Sequence, residues 1–250
     1  MSLENKLKKK YLFSNNGIIK FLYFFFNSII CSLKYNKSYS QGAMDLILMN
    51  IFSNKNDGIY IDVGCQHPIR NNNTYQLFKR GWKGINVDLD KFNIELFNFN
   101  RPKDFNICQA VSDKVGKDHL YFYHEKSPIN TLDPSISKLQ KALVKDVIEV
   151  PTDTLTNIIE KSPYSEIDLL SIDVEGYELK VLKGIDFNKF YPKVIVLEFL
   201  DIKSKKWEIP YNNFESIKNS EIFDFLTKKK YKFVNWVNGD LIFVSSSFIS

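Results

Sequence analysis

Four apolar runs in this chain end in a carboxylate: Ile59 to Asp62, Gly84 to Asp88, Leu169 to Asp173 and Val194 to Glu198. The third run is followed at once by Glu175, Gly176 and Glu178. Short apolar, β-branched runs of this kind read as buried parallel strands. Open α/β sheets place their chemistry at the carboxyl ends of such strands. Helix capping is the competing explanation for any one strand-end acid. Four along one edge point instead to a polar or cationic ligand.

The elements that must carry these acids follow in order. Residues 37–52 read as a loop and a helix, with Ser40 as the cap. A first strand over 58–65 ends in Asp62 and is followed by Gly64, where the backbone can approach a ligand closely. Thr74 is placed to cap a helix over 75–80. A second strand ends at Asp88, 24 residues after Gly64, a position suited to holding ribose hydroxyls. A helix over 91–99 leads to a third strand over 105–112, and 119–124 alternates as an extra strand. The polar stretch 126–145, with Pro128 and Pro134, reads as an excursion over the site. A short strand (147–150) and a helix over 154–160, capped by Asp153 or Thr154, precede the fourth strand (167–173) and its helix (176–183). The fifth strand covers 193–199, and 214–229 is helical in part. Two last strands, 231–236 and 240–245, flank Val237-Asn-Gly239, a hairpin signal. The expected fold is α/β: a mostly parallel central sheet closed by a C-terminal antiparallel hairpin and flanked by helices.

Composition fits one such domain. The 250 residues are 44% hydrophobic and 25% charged, enough for a single large core. The 34 basic and 29 acidic residues are mixed outside the N-terminus, so no nucleic-acid partner is expected. Three cysteines without a CxxC suit a reducing cytoplasm. The N-terminus differs. Lys6, Lys8, Lys9 and Lys10 precede an apolar segment over 18–33 whose uninterrupted part, Phe21 to Phe26, is too short to span a bilayer. Two readings stay open: a helix packed on the domain, or one lying on anionic lipid through residues 6–33, at the inner face of the membrane. Residues 1–37 are thus an extension and 38–250 the domain. Oligomeric state is open, with a homo-oligomer among the alternatives.

A dehydrogenase would show G-x-G-x-x-G after the first strand. Here the segment is Asp62-Val-Gly-Cys-Gln-His-Pro68, with one glycine and a proline. A pyrophosphate would also sit badly among so many carboxylates. S-adenosylmethionine fits better, having a cationic sulfonium, an amino group and two ribose hydroxyls, and the hairpin-closed parallel sheet matches the class I (Rossmann-like) methyltransferase fold. Ser40-Gln41, Asp45, Tyr60-Ile-Asp-Val-Gly-Cys65, Pro68, Asn73-Thr74, Gly81-Trp82-Lys-Gly84, Arg101-Pro102, Val150-Pro-Thr-Asp-Thr-Leu155, Leu170-Ser-Ile-Asp-Val-Glu-Gly-Tyr-Glu178 and Leu182-Lys-Gly184 together resemble the FkbM-type methyltransferases. The likeness runs over about 38–200. It implies a class I fold, S-adenosylmethionine as cofactor, and methylation of a hydroxyl on a glycan or small-molecule acceptor. Where the family commonly has Glu-Pro after the second strand, this chain has Asp88-Leu89.

Resemblance and position together assign the residues. Asp62 and Gly64 are expected at the methionine end of the donor and Asp88 on its ribose. Thr74 is a further donor-site candidate, set against helix capping. Ala110, Val111 and Ser112 are expected to flank the adenine. Asp173 is expected to position the acceptor hydroxyl or take its proton, with Glu175 next. His67 is a candidate second base, set against an ordinary solvated histidine. Glu178 is expected to touch the acceptor or else pair with Lys180 or Lys183. Glu198 is expected to line the acceptor pocket or else cap. Asp173, Glu175 and Glu198 offer oxygen ligands, but without an H-x-x-x-H or D-x-D spacing no metal is assigned. The expected activity is O-methylation of a sugar in surface polysaccharide synthesis. The rivals are a lipid-linked or secondary-metabolite acceptor, and a non-catalytic binding module on the same fold.

Overall fold

The computed structural model describes residues 16–34, 38–124, 127, 130–139, 144–199 and 214–249. The first half of the chain runs through helices α1 (Gly17–Lys34) and α2 (Met44–Ile51), strand β1 (Ile59–Val63), helix α3 (Tyr75–Arg80), strand β2 (Lys83–Asp88) and helix α4 (Lys91–Asn100). Strands β3 (Phe105–Cys108), β4 (Ala110–Ser112) and β5 (Gly116–Phe122) follow, then α5 (Pro134–Leu139), β6 (Asp146–Thr154) and α6 (Leu155–Lys161). The chain continues as β7 (Leu169–Ile172), α7 (Glu178–Lys183), β8 (Val194–Glu198), α8 (Phe214–Lys218) and α9 (Glu221–Lys228), and closes with β9 (Tyr231–Val237), β10 (Asp240–Ser245) and α10 (Ser246–Ile249).

Seven strands form the central sheet in the order β3-β2-β1-β7-β8-β10-β9. The first five are parallel, and β10 is antiparallel to both β8 and β9. This is the expected class I methyltransferase topology. Chain order reverses between β1 and β7, and a crevice opens at the carboxyl ends of strands where it does. The strand ends are level there, with Val63 opposite both Val87 and Ile172. The central strands β1, β7 and β8 are apolar on both faces because each face is covered. On one face Ile61, Val87, Leu170 and Ile195 meet Leu155, Ile158 and Leu182; on the other Tyr60, Leu169 and Val196 meet Met44, Leu48 and Trp82.

The expected third strand, 105–112, is in fact two. Gln109 leaves the ladder, and residues beyond it join a second sheet of order β4-β6-β5. β6 is nine residues long rather than the short strand expected, because its first half pairs with β5 away from the core. Period-2 alternation does not distinguish a strand of the main sheet from one that stands beside it.

Candidate active site

A cavity of about 1010 Å³ lies over the carboxyl edge where chain order reverses. One end is lined by Gly64, Gln66, Asp88, Leu89, Ala110 and Val111. The other end carries Asn73, Asp173, Glu175, Glu198, Asn238 and Asp240. Leu120, Phe122, Ser127, Asn130 and Leu132, from β5 and the excursion after it, line it as well. The excursion is fixed to the acidic end. Thr131 Oγ1 donates to the carbonyl of Glu175 at 2.7 Å, and Ile136 of α5 packs on Gly176, where a Cβ would collide with it.

At the first end Asp88 closes β2. Its Oδ2 accepts from the Gln66 amide at 2.8 Å and its Oδ1 from that of Asp90 at 2.7 Å. Each carboxylate oxygen accepts more than one hydrogen bond, so capacity remains for a ligand's paired hydroxyls. Burial pushes its pKa up to about 6, and the two amides oppose the rise. Gly64 has φ 79 and donates to the carbonyl of Val87 at 2.9 Å. A Cβ on Gly64 would run into the carbonyl of Asp173, so the turns after β1 and β7 touch backbone to backbone. Leu89, Ala110 and Val111 offer an apolar slot beside Asp88. A carboxylate, a side-chain-free turn and an apolar slot in that sequence suit a nucleoside.

Four residues expected at the site stand outside the cavity lining. Asp62 is buried, and its Oδ2 accepts from Thr74 Oγ1 at 2.8 Å and Asn72 Nδ2 at 2.9 Å. Thr74 does not cap α3 with its side chain; its hydroxyl also accepts from Arg101 at 2.8 Å. Arg101, fully buried, further donates to Asn72 Oδ1 at 2.7 Å, to Tyr60 Oη and to the carbonyl of Pro68, and lies over the Phe97 and Phe78 rings. Tyr60 in turn bonds Asp104. Asp62 and Thr74 thus hold the turn after β1 from beneath instead of meeting a ligand. His67 is the third. It is buried, its Nδ1 accepts from the amides of Ile69 and Arg70 at 3.0 Å, and its Nε2 pairs with Asn27 of α1 at 2.8 Å. Burial, with Arg70 and Arg101 nearby, lowers its pKa to about 3, so the ring is neutral and fully engaged, not a base. Ser112 also lies outside the lining; its hydroxyl is within 3.4 Å of Tyr177 Oη and 3.2 Å of Asp113.

The acidic end is different in kind. Asp173 follows β7, opens into the cavity, and has its pKa raised to about 6 by burial and by Asp62. Glu175 rises to about 8 and Asp240 to about 7, each first by burial and then by Asp173. Glu198, ending β8, is pushed to about 10 by burial and by Asp173. Among the described residues no donor reaches its buried Oε2. A hydrogen bond between Asp173 and Glu198 opposes the rise at Asp173, while burial and neighbouring carboxylates push Glu198 further up, so of the two Glu198 is the better donor and Asp173 the better acceptor. Glu178 is not part of this group. It is buried and outside the lining, and its Oε1 accepts from the amides of Val174 and Gly176 at 3.1 Å. Glu178 therefore staples the turn that carries Asp173 and Glu175; it pairs with neither Lys180 nor Lys183 and does not face the acceptor. Glu175 is held there at φ 55, a left-handed conformation that costs about 1–3 kcal/mol for a side chain other than glycine.

Asp173, Glu175 and Glu198 bring one oxygen each within 4.8 Å of one another, a spacing that can hold a divalent cation. Asp240, Asn73 and Asn238 are site residues that the sequence reading missed. The signal for Asp240 was present: it opens an antiparallel strand, which puts its first residue at the edge where the parallel strands end, directly opposite Glu198. Of the rings whose type suits stacking on a sugar, Trp82 is core, and Trp207 lies outside the described residues.

The family model for the methyltransferase FkbM domain matches residues 56–233. No curated protein matches the sequence. Among solved structures, that of the 16S rRNA methylase ArmA aligns over 97% of this chain and 97% of that chain, at 13% identity and a TM-score of 0.39.

Proposed function

Given that this chain belongs to the family of FkbM-domain methyltransferases, we propose that it transfers a methyl group from S-adenosylmethionine to a sugar hydroxyl, as a step in building a surface polysaccharide. The observation that carries this reading is the single cavity with a nucleoside-shaped end at Asp88 and an end at Asp173 rich in carboxylates and amides. The donor, when bound, supplies a methyl carbon activated by a sulfonium. The chain supplies placement and charge. Asp88 holds the ribose through its two oxygens. Leu89, Ala110 and Val111 take the adenine. The turn at Gly64 admits the methionine end, where the surrounding carboxylates favour a cation.

The acceptor hydroxyl must lie in line with the carbon–sulfur bond and lose a proton as its oxygen bonds to the methyl. Asp173 is placed to accept that proton, and the hydrogen bond from Glu198 keeps it ionised until then. Asn73, Asn130 and Asn238 offer side-chain amides that can donate to, and accept from, the other hydroxyls of a sugar.

The test has two parts. Calorimetry should show saturable S-adenosylmethionine binding, lost in Asp88→Ala. Methyl transfer should then be screened against nucleotide-sugars and free glycosides. Donor binding with no transfer to any sugar would overturn the acceptor class and leave the donor site standing.

A further inference from the structure

Helix α1 is mostly apolar, yet protein covers only part of it. Tyr23 and Phe24 are buried against Phe92, Leu96 and Phe99. Asn27 reaches His67 on the same side, and Lys20 pairs with Glu95 at 3.4 Å. The opposite stripe has helical spacing: Ile18, Phe21, Leu22, Phe25 and Ile29. All five are exposed, Ile18 at 69%, Phe21 at 53% and Phe25 at 44%. Soluble proteins rarely leave an aliphatic and aromatic stripe of this length in water without a partner. The sequence before it is mostly basic in its charges. Lys6, Lys8, Lys9 and Lys10 precede the helix in sequence. Where α1 meets the domain the cavity lining includes Lys20, Arg70 and Lys91, beside His67 and Phe92. No described helix is long and apolar enough to cross a membrane.

We propose that the outer stripe of α1 seats on a membrane surface rich in anionic lipid, its rings and aliphatic chains entering the headgroup boundary and the lysines meeting the headgroups. An apolar stripe beside like-signed cations is the pattern of an interfacial helix. A second copy of the chain would have to bring its own lysines against these, which disfavours a dimer through this face. The seat has a consequence that rests on the proposed function. Lys20 belongs both to α1 and to the cavity lining, so a seated helix holds the cavity mouth at headgroup level, where a glycan borne on a lipid carrier is presented.

Vesicle flotation of the full chain decides the matter and needs no methyl donor, so its failure is separate from any failure of the methyl-transfer reading. The chain should float with phosphatidylcholine–phosphatidylglycerol vesicles, far less with phosphatidylcholine alone, and be released by high salt. Ile18→Ser/Phe25→Ser/Ile29→Ser should weaken partitioning about tenfold or more. Replacing Lys6, Lys8, Lys9 and Lys10 by glutamine, which touches no core residue, should weaken it by a similar factor on anionic vesicles only. No flotation of the full chain, or flotation that survives both variants, overturns the seat. So does a native dimer that the serine variant converts to a monomer without a change in flotation.

Discussion

Two groups of acids stand close together along one sheet edge, one buried and one opening into the cavity, and they are built on opposite terms. Beneath the turn after β1, Asp62 and Asp104 sit with Arg101, Thr74, Asn72 and Tyr60, and their burial is opposed by a guanidinium and several donors. Above the ends of β7 and β8, Asp173 raises Glu175, Glu198 and Asp240, and among the described residues no guanidinium stands against them as Arg101 does against Asp62. The first group answers its acids with a cation and donors from the chain itself, so it supports the turn. In the second, burial and like charges push the carboxyls up, so it gains from any positive ligand that enters. A strand-end acid does not show from its type which group it will join. The charge of its neighbours decides.

The largest effect should separate the two groups by what each mutation damages. Asp173→Asn should lower methyl transfer about 10²- to 10⁴-fold, the usual worth of a positioned base, while stability measured by urea unfolding stays level or rises. Arg101→Met should do the reverse at first hand. It strips the cation from a buried network and should cost about 3–5 kcal/mol in the same unfolding experiment. A stable Arg101→Met protein would mean that the two groups are not different in kind.

Next in size is pH. A base must be ionised, and Asp173 is raised to about 6, so transfer should fall as pH drops through that value. The stability sign is opposite. Groups with raised folded pKa values stabilise the fold below their unfolded values and lose that contribution as pH rises through about 6 to 8. Asp240→Asn and Glu175→Gln should therefore flatten the loss of thermal stability between pH 5 and pH 8, roughly the span between the unfolded and raised folded values. Glu198 gives a finer test. Glu198→Gln keeps a donor to Asp173 and should retain most activity. Glu198→Ala removes the donor and should move the acid limb of the pH–rate profile upward. Identical profiles would break the proton-sharing account. The smallest effect expected is from His67→Gln: transfer almost unchanged, with about 1 kcal/mol lost in stability from the Asn27 contact.

The sheet was readable because its strands are short apolar runs bounded by glycine and acid, and because Val237-Asn-Gly239 marks the hairpin. Gln109 was not readable as a break, since nothing in its type distinguishes a strand that changes sheets. Among site residues, Asp88, Gly64, Ala110, Val111, Asp173, Glu175 and Glu198 all face one cavity, as their strand ends implied. Asp62, Thr74, His67, Ser112 and Glu178 do not. For Asp62 and Thr74 the deciding partner, Arg101, is 39 and 27 residues further on, and only the fold brings it under them. For Glu178 the cause is local: a carboxylate at a helix start folds back onto the free amides of the turn before it. Asp240 stayed hidden because antiparallel pairing, not sequence distance, places it opposite Glu198.

The contact between Gly64 and the carbonyl of Asp173 has a mechanical meaning. Two turns in backbone contact cannot drift apart or rotate independently, so the halves of the cleft behave as one rigid jaw. Exchange of ligands must then go through the wall made by β5, α5 and α1. Those are also the parts least bound by the central sheet, and so the parts where related chains can change what they accept without disturbing how they hold the methyl group.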